Sequence, residues 1–404
     1  MDFSPRIDSW SADEVGAARR LRRRRGADTP DRPDGPDDAG RSPARTPTSF
    51  RRAFAVTVGV LILLCAALVV VAHGRGPTLA STQVDAASVT TTPHQQLRVF
   101  TDESVAQVRK EQVRMTPAAP LTVQTAGTVI TVQFTGRLRS ATRYSVELRG
   151  VTSVFGSRPA TLTTAFTTAR ASVLTLDRAP GGGQDRIVRS RVGVPGRTVA
   201  YRAPGIQAFG ALGSDLVVVR GDGHASTISI VAADGTTEDL ILPGTGLVRS
   251  FALDAPTGLV AFTWTPASEP RATPRLFTID LEGQHTSTAV TGAAARAAER
   301  LLAVRPGSLT TRGTARLAGD GSSVTLTASA GSRPVTLTRA LAGQRLTALG
   351  TSPNGQYVSV VSAPADAPSD GRALDPAPRS PTTLVVDVDS GATVASFAGS
   401  SLAW

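Results

Sequence analysis

Residues 352–362 read SPNGQYVSVVS, a tight-turn sequence followed directly by a run of apolar and small residues. Asn354-Gly355 is a residue pair that two-residue hairpin turns favour, because both residues accept a left-handed backbone conformation. The stretch from Tyr357 to Val361 contains mainly aromatic and β-branched residues, which favour a buried strand. These eleven residues therefore predict a turn that leads into an interior strand of a β-sheet protein.

A similar unit recurs between Ser172 and Trp404: a buried strand, a loop, and a second strand that ends in a hairpin turn. The turns stand at Asp234-Gly235, Glu282-Gly283, Asp320-Gly321 and Ser390-Gly391. About 230 residues, at about 40 to 45 per unit, give five or six units. Small sheets packed radially bury both of their faces, which single hairpins cannot do. Residues 171–404 are therefore predicted to form a β-propeller of about five or six blades, with a second β-sandwich array as the alternative.

The 352–362 stretch is similar to the Ser-Pro-Asp-Gly turn of TolB-like and WD-type propellers, with Asn354 where aspartate is usual. This resemblance implies a propeller fold but no particular ligand. Within the predicted propeller, the Ala-rich run from Ala293 to Arg300 predicts a short helix between blades. The segment from Ala363 to Pro381 contains five prolines and is interpreted either as a binding loop or as a disordered insertion.

A second β-rich region covers residues 97–170. Apolar residues alternate with polar ones at Ile130, Val132 and Phe134, and again from Tyr144 to Leu148. Alternation with a period of two is typical of half-buried antiparallel strands. Short strands of this kind, separated by turns, predict a small β-sandwich.

This second region resembles the bacterial SbsA-type Ig-like domain. The resemblance is carried by Val113-Arg114-Met115-Thr116-Pro117, Leu138, Thr142, Tyr144, Val146, Gly150-Val151, Gly156 and Phe166-Thr167-Thr168. It implies a spacer or adhesive module of a cell-surface protein, without catalytic residues. Where the family often has aspartate after the Gly-Val step, this chain has Thr152 and Ser153, so the resemblance implies no metal site.

The chain also contains one long apolar stretch. Residues Ala53 to Ala72 read AFAVTVGVLILLCAALVVVA, twenty residues without a charge. As a helix they would span about 30 Å, the thickness of the hydrocarbon core of a bilayer. Residues 1–52 contain twelve arginines, which favours a cytoplasmic amino terminus. The sequence therefore predicts a disordered basic tail (1–52), a transmembrane helix (53–72), a spacer (73–96) and an extracytoplasmic β-rich part.

One alternative to a permanent anchor stays open. Arg51-Arg52 followed by an apolar stretch is also typical of an export signal, which would be cleaved after Ala72. In the tail, the arginine run at 19–25 is interpreted as a solvated charge run that sets the topology, with binding to anionic lipid as the alternative. A further hypothesis makes residues 1–52 a transmembrane signalling segment. Nucleic-acid binding is not predicted, because this run has neither an aromatic partner nor a folded reader.

Residues with catalytic or ligand-binding chemistry are scarce. Cys65 is the one cysteine, so it can form no intramolecular disulfide and no thiolate cluster. The histidines are His73, His94, His224 and His285, and their spacing fits no metal site. Gly181-Gly182-Gly183 lacks the lysine of a phosphate loop, and Asp387 and Asp389 lack the remaining ligands of a calcium loop. No G-x-S-x-G motif occurs. The sequence therefore predicts no catalytic, cofactor-binding or metal-binding residue.

The formal charge of the chain is +11. Six of its arginines lie within 25 residues, at 178, 186, 189, 191, 197 and 202. A basic surface of this kind would attract an anionic wall polymer, although solvated surface arginines would give the same pattern. The predicted fold class is an all-β ectodomain, an Ig-like sandwich plus a propeller, with one N-terminal transmembrane helix. The predicted function is a non-catalytic, single-pass envelope protein that binds envelope proteins or wall polymers. An exported propeller hydrolase is the alternative.

Overall fold

A computed structural model describes residues 48–73, 76–179, 182–303, 309–328 and 331–404. The chain divides into two compact units, one ending at Ala67 and the other beginning at Leu68. Strands predominate in the described residues, which also contain three α-helices and one short 3-10 helix. The all-β prediction is therefore confirmed. Residues 1–47 of the predicted disordered tail lie outside the described residues. Gly181 of the run Gly181-Gly182-Gly183 also lies outside them.

Helix α1 runs Thr48–His73 and includes the apolar stretch that the sequence predicts to be helical. Its large apolar side chains between Phe54 and Leu64 are exposed. In the part of the chain that the structure describes, no helix has both the length and the hydropathy needed to cross a membrane.

The amino-terminal part of the second unit is a β-sandwich. One sheet has the strand order β1-β2-β5-β4 and the other the order β3-β6-β7, and a one-turn helix, α2 (Ser88–Thr91), follows β1. The strands are β1 (Leu79–Gln83), β2 (Gln96–Thr101), β3 (Val113–Thr116), β4 (Leu121–Ala126), β5 (Val129–Phe134), β6 (Arg143–Val151) and β7 (Ala160–Thr167).

One hydrophobic core lies between these two sheets. Ile130, Val132 and Phe134 of β5 are completely buried, and they face Tyr144 and its neighbours on β6. The polar residues between them point away from the core, because successive side chains of a strand lie on opposite faces. The strands predicted from alternation at 130–134 and 144–148 are therefore confirmed.

The prediction that residues 73–96 form a spacer is wrong from residue 79 onward. β1 pairs with β2 from Leu79 to Gln83, and Val89 of α2 is 1% exposed in the sandwich core. The sequence did not indicate β1, because it is an edge strand whose residues after Leu79 are all exposed. An edge strand of this kind has no apolar alternation to detect.

The rest of the second unit forms five four-stranded antiparallel sheets. In chain order the strands are β8 (Ser172–Asp177), β9 (Gln184–Arg191), β10 (Arg197–Pro204), β11 (Ile206–Leu212), β12 (Asp215–Gly221), β13 (Ser226–Val231), β14 (Thr237–Asp239), β15 (Gly246–Asp254), β16 (Leu259–Pro266), β17 (Arg275–Asp280), β18 (Thr288–Ala289), β19 (Leu309–Thr310), β20 (Gly313–Leu317), β21 (Ser323–Thr327), β22 (Val335–Arg339), β23 (Gln344–Thr351), β24 (Tyr357–Pro364), β25 (Thr382–Asp387), β26 (Thr393–Ala398) and β27 (Ser400–Ala403).

Each sheet is one blade of a propeller. Blades 2, 3, 4 and 5 are meanders of consecutive strands: β11–β14, β15–β18, β19–β22 and β23–β26. Blade 1 has the order β10-β9-β8-β27, in which Ser400 of β27 pairs with Leu176 of β8. This pairing joins the first and last blades into a closed ring, so the predicted β-propeller is confirmed and the alternative of a second sandwich array is excluded.

Both faces of a central blade strand are buried. In β24, every residue from Tyr357 to Ala363 is buried. One face packs on blade 4 through Val358 and Val360, and the other contributes Tyr357 to a cluster with Val173 of blade 1. A radial arrangement of sheets produces this double burial, which explains why the strand reads as a continuous apolar run.

Because the strands of each blade are antiparallel, the turns alternate between two ends of the ring. We call the end that carries turns 352–356 and 388–392 of blade 5 the near end. The opposite end, which carries loop 365–381 of the same blade, is the far end. Helix α3 (Gly292–Ala303) follows blade 3 and precedes blade 4 in the chain, and it packs on β15, β16 and β17 of blade 3. The helix predicted from the Ala-rich run is therefore confirmed.

Gly355 in the blade 5 turn is expected to resist replacement. Its φ is +68°, and a Cβ atom there would lie 2.8 Å from the Thr311 nitrogen of blade 4. That nitrogen donates a hydrogen bond to the Gly355 carbonyl at 3.0 Å. We expect Gly355→Ala to lower the free energy of unfolding by at least about 1 kcal/mol, measured by urea denaturation. Gly127→Ala, also at positive φ but with open space around it, is the control for the steric part. Equal losses in both variants would contradict this explanation.

Candidate functional site

A cavity of about 870 Å³ lies at the centre of the ring. Its walls come from all five blades, chiefly from β27, β11, β15 and β23 together with β20 of blade 4. Residues from the 365–381 loop complete the lining. The cavity is therefore the channel that the closed ring encloses, and it is the candidate functional site.

The polar lining consists of hydroxyl groups and three charged side chains. Arg249 of β15, Arg316 of β20 and Asp375 of the 365–381 loop are the charged residues. Apolar walls are supplied by Phe209, Leu349 and their neighbours. Sequence analysis singled out neither the arginines nor the apolar residues, because each reads locally as an ordinary member of a strand. Asp375 lies in the segment from Ala363 to Pro381, for which a binding loop was one of the two interpretations.

The 365–381 loop is fixed to blades 1 and 2 at the far end. The guanidinium group of Arg178, whose side chain is 8% exposed, donates to the Asp370 carboxylate at 2.6 Å and to the Asp375 carbonyl at 2.7 Å. It also donates to the carbonyl of Gln207 at 2.6 Å. Ser401 of β27 donates to the Asp375 carboxylate. The loop is therefore ordered, which excludes its interpretation as a disordered insertion.

A buried carboxylate provides the second attachment of the loop. Asp185 is fully buried and accepts hydrogen bonds from the backbone nitrogens of Ala179 and Ile206, each at 2.9 Å. Arg372 of the loop donates to the same carboxylate at 2.9 Å. A buried carboxylate needs both hydrogen bonds and a counter-charge, and Arg372 provides the counter-charge. The loop is thus part of the folded ring.

The near end of blade 5 contacts the sandwich. The Ser140 nitrogen donates to Gln356 Oε1 at 2.7 Å, and Asn354 Nδ2 donates to the Leu138 carbonyl at 3.0 Å. Arg139 forms an ion pair with Asp389 and lies 3.8 Å from Asp387. The turn that indicated a propeller in the sequence therefore also binds the sandwich. The departure from the usual aspartate places an amide donor, Asn354, at this contact.

The sequence offers Asp387 and Asp389 as two carboxylates of the several that a calcium loop needs, without the others. Asp387 instead accepts backbone hydrogen bonds from Asp389 and Ser390, at 3.1 and 3.0 Å, which close the turn. Both carboxylates face Arg139. Among the described residues, no group of three or more acidic, histidine or cysteine side chains is arranged to hold a metal ion.

The arginine-rich segment does not gather at the cavity. Arg178 lies under the 365–381 loop, and Arg186 pairs with Asp177 at 2.9 Å. The guanidinium groups of Arg189 and Arg197 donate to the backbone carbonyls of Ser214 and Ala398. Arg191 and Arg202 are exposed on the two strands of blade 1 that follow β8. These arginines therefore serve different purposes, one structural and the others at the surface.

His285 connects blade 2 to blade 3 away from the cavity. Its Nδ1 atom lies 2.7 Å from Glu238 Oε1, and its Nε2 atom lies 2.9 Å from the Leu281 carbonyl oxygen. Only a doubly protonated ring can donate to both acceptors. The hydrogen bond with Glu238, followed by that with Leu281, raises the pKa of His285 above its ordinary value of 6.5. Asp280 adds a smaller effect in the same direction.

This arrangement predicts a pH dependence of stability. Because the folded-state pKa of His285 is raised, its contribution is complete below about pH 6.5 and is lost as the pH rises through the raised value. We expect the free energy of unfolding from urea titrations to fall over that interval, and His285→Gln to remove the fall. His224→Gln, in an exposed turn, should preserve it. An unchanged pH profile in His285→Gln would show that the fall has another origin.

No protein-family pattern matches the sequence, and no curated protein matches it. The chain is similar to the structure of TolB from Acinetobacter baumannii, at 12% identity over 82% of this chain and 84% of that chain, with a TM-score of 0.25. An auxiliary nutrient binding protein from Bacteroides thetaiotaomicron gives 8% identity, coverage of 80% and 70%, and a TM-score of 0.21. A DUF4784 family protein from Bacteroides caccae gives 9% identity over 81% of this chain and 99% of that chain, with a TM-score of 0.27. Likeness this distant assigns neither family nor function, and the propeller is defined by its own strand pairing.

Proposed function

We propose that this protein is a binding protein of the cell envelope whose ligand site is the central cavity of the propeller. The observation that carries the proposal is the cavity itself, which has a volume in the range typical of small-molecule sites. Its charged lining residues, Arg249, Arg316 and Asp375, suit recognition by charge and hydrogen bonding. The proposal is that the protein binds its ligand without transforming it.

The tether and the sandwich are the finer parts of this proposal. The uncharged stretch Ala53 to Ala72 would hold the chain in the membrane, with the arginine-rich tail in the cytoplasm. An SbsA-type Ig-like sandwich would act as the spacer between membrane and propeller. Protease added to intact cells should then digest residues 76–404, and a tag at the amino terminus should be degraded after permeabilisation only. A propeller protected in intact cells would contradict this topology.

The binding function can be tested by filling the cavity. Ala348 of β23 lines it, and a tryptophan at this position would occupy part of its volume. We expect native mass spectrometry of the full chain to show a bound small molecule that denaturation releases. Ala348→Trp should lose that mass, and Ala233→Trp, in an exposed turn of blade 2, should retain it. Equal retention by both variants, or no bound molecule in the unmodified chain, would contradict the proposal.

One observation favours a hydrolase as the second candidate. Ser401 lines the cavity with a φ of +52°, a strained conformation for a residue other than glycine, and its hydroxyl donates to Asp375. A serine nucleophile needs an adjacent base. Histidine and lysine do not occur among the described lining residues, so the Asp375 carboxylate would have to serve as that base. Steady hydrolysis of p-nitrophenyl esters that Ser401→Ala abolishes would favour this candidate over simple binding.

A further inference from the structure

The charges that line the cavity are unbalanced. Two arginines, Arg249 and Arg316, line it, against a single acid, Asp375. That acid already accepts a hydrogen bond from Ser401 and lies 3.9 Å from the guanidinium group of Arg178. The described lining therefore offers no carboxylate that is available to neutralise both arginines.

Both arginines retain donors for a ligand. Among the described residues, Arg316 has no acidic partner, and its side chain is exposed toward the space that the ring encloses. Arg249 donates one long hydrogen bond, 3.4 Å, to the Pro270 carbonyl. A guanidinium group carries five N–H donors in a planar fork that fits carboxylate and phosphate oxygens. Two such groups beside a partly enclosed space favour an anion.

The remaining walls indicate the rest of the ligand. Phe209, Phe251, Leu317, Leu349 and Leu374 present apolar surface around the same space. A cavity of about 870 Å³ is large enough for a small organic molecule and too small for a folded partner. Apolar walls beside two cations fit a molecule with an apolar body and an anionic group.

We propose that the central cavity binds a small organic anion, whose carboxylate or phosphate oxygens are held by Arg249 and Arg316 and whose apolar body packs between Phe209 and Phe251. The inference rests on the proposed binding function and names the chemical class of its ligand. The basic segment of blade 1 takes no part in it, since those arginines lie elsewhere on the ring or beneath the loop.

The test is isothermal titration calorimetry of the full chain in detergent with three probes. Phenyl phosphate and phenylsuccinate carry an aromatic body with a phosphate or carboxylate group, and benzyl alcohol is the neutral comparison. We expect both anions to bind more tightly than the alcohol, and added salt to weaken them. Arg249→Gln and Arg316→Gln should each weaken anion binding by about tenfold or more. A difference between the two anions would show which group the site prefers.

Arg275→Gln is the matched control, since Arg275 lies on β17 of blade 3 and is exposed outside the cavity lining. This variant should leave the anion affinity unchanged. All three variants should keep the melting temperature of the unmodified chain. If benzyl alcohol bound as tightly as the two anions, and neither cavity variant changed the binding, the proposed ligand class would be overturned. A binding function would then still stand. Binding of none of the probes, together with no bound molecule in native mass spectrometry, would overturn both.

Discussion

Arg372→Ala is expected to destabilise the propeller strongly. The substitution removes the one side-chain cation that contacts the fully buried Asp185 carboxylate among the described residues. Removing one partner of a buried ion pair typically costs about 3 to 5 kcal/mol, because the remaining charge stays buried. We expect a loss near the lower end, since the backbone nitrogens of Ala179 and Ile206 still donate to Asp185. Urea denaturation would measure the loss.

Arg379→Ala provides the control within the same loop, because the Arg379 side chain is exposed and, in the described part of the chain, only its backbone nitrogen donates a hydrogen bond, to the Pro368 carbonyl. It should change the free energy of unfolding by less than about 0.5 kcal/mol. A double variant that also replaces Asp185 with asparagine should recover part of the loss, because it removes the buried charge. Equal effects of Arg372→Ala and Arg379→Ala would contradict the assignment of Arg372 as the counter-charge.

Phe262→Ala is expected to have the largest effect of any single truncation considered. Phe262 lies on β16 with its side chain completely buried, and its ring stacks on Phe277 at a centroid distance of 5.7 Å. Its core cluster joins residues of blades 2 and 3, including Val217 and Ile279. Truncation would leave a cavity between these blades and cost about 3 to 5 kcal/mol. Thermal or urea unfolding of the full chain would measure it.

Phe155→Ala is the matched control for this prediction. The Phe155 side chain is 74% exposed in the sandwich, so its truncation leaves no internal cavity. It should change stability by less than about 0.5 kcal/mol. A small effect of Phe262→Ala would mean that blades 2 and 3 depend little on their shared core.

Local patterns predicted those parts of the fold whose strands bury alternate residues or both faces. The alternation at Ile130 to Phe134 and the apolar run after Tyr357 each identify a strand, because burial there follows a regular period. β1 escaped detection because its residues after Leu79 face solvent. The blade count could not be fixed beyond five or six, since very short strands such as β18 and β19 contribute little pattern.

The candidate site could not be predicted in the same way. Arg249 and Arg316 lie on strands of different blades, and only the closed ring places them around one cavity. Asp185 and Arg372 are separated by 187 residues, so no local motif connects them. One signal was present in the sequence: Asp185 occupies a position on the same face of its strand as Ile187, where alternation predicts burial. An acidic residue at such a position indicates a buried partner elsewhere in the chain.

The sandwich contacts the ring next to the pairing of β8 with β27, which closes the ring. The chain enters blade 1 at Ser172, whereas the sandwich binds blade 5 through Asn354 and Gln356. Blades 1 and 5 are the neighbours that β27 connects. Tension transmitted from the amino-terminal side would therefore act on the ring at two points, one in blade 1 and one in blade 5. The contact with blade 5 would carry part of the force, so less of it would act on the pairing of β8 with β27.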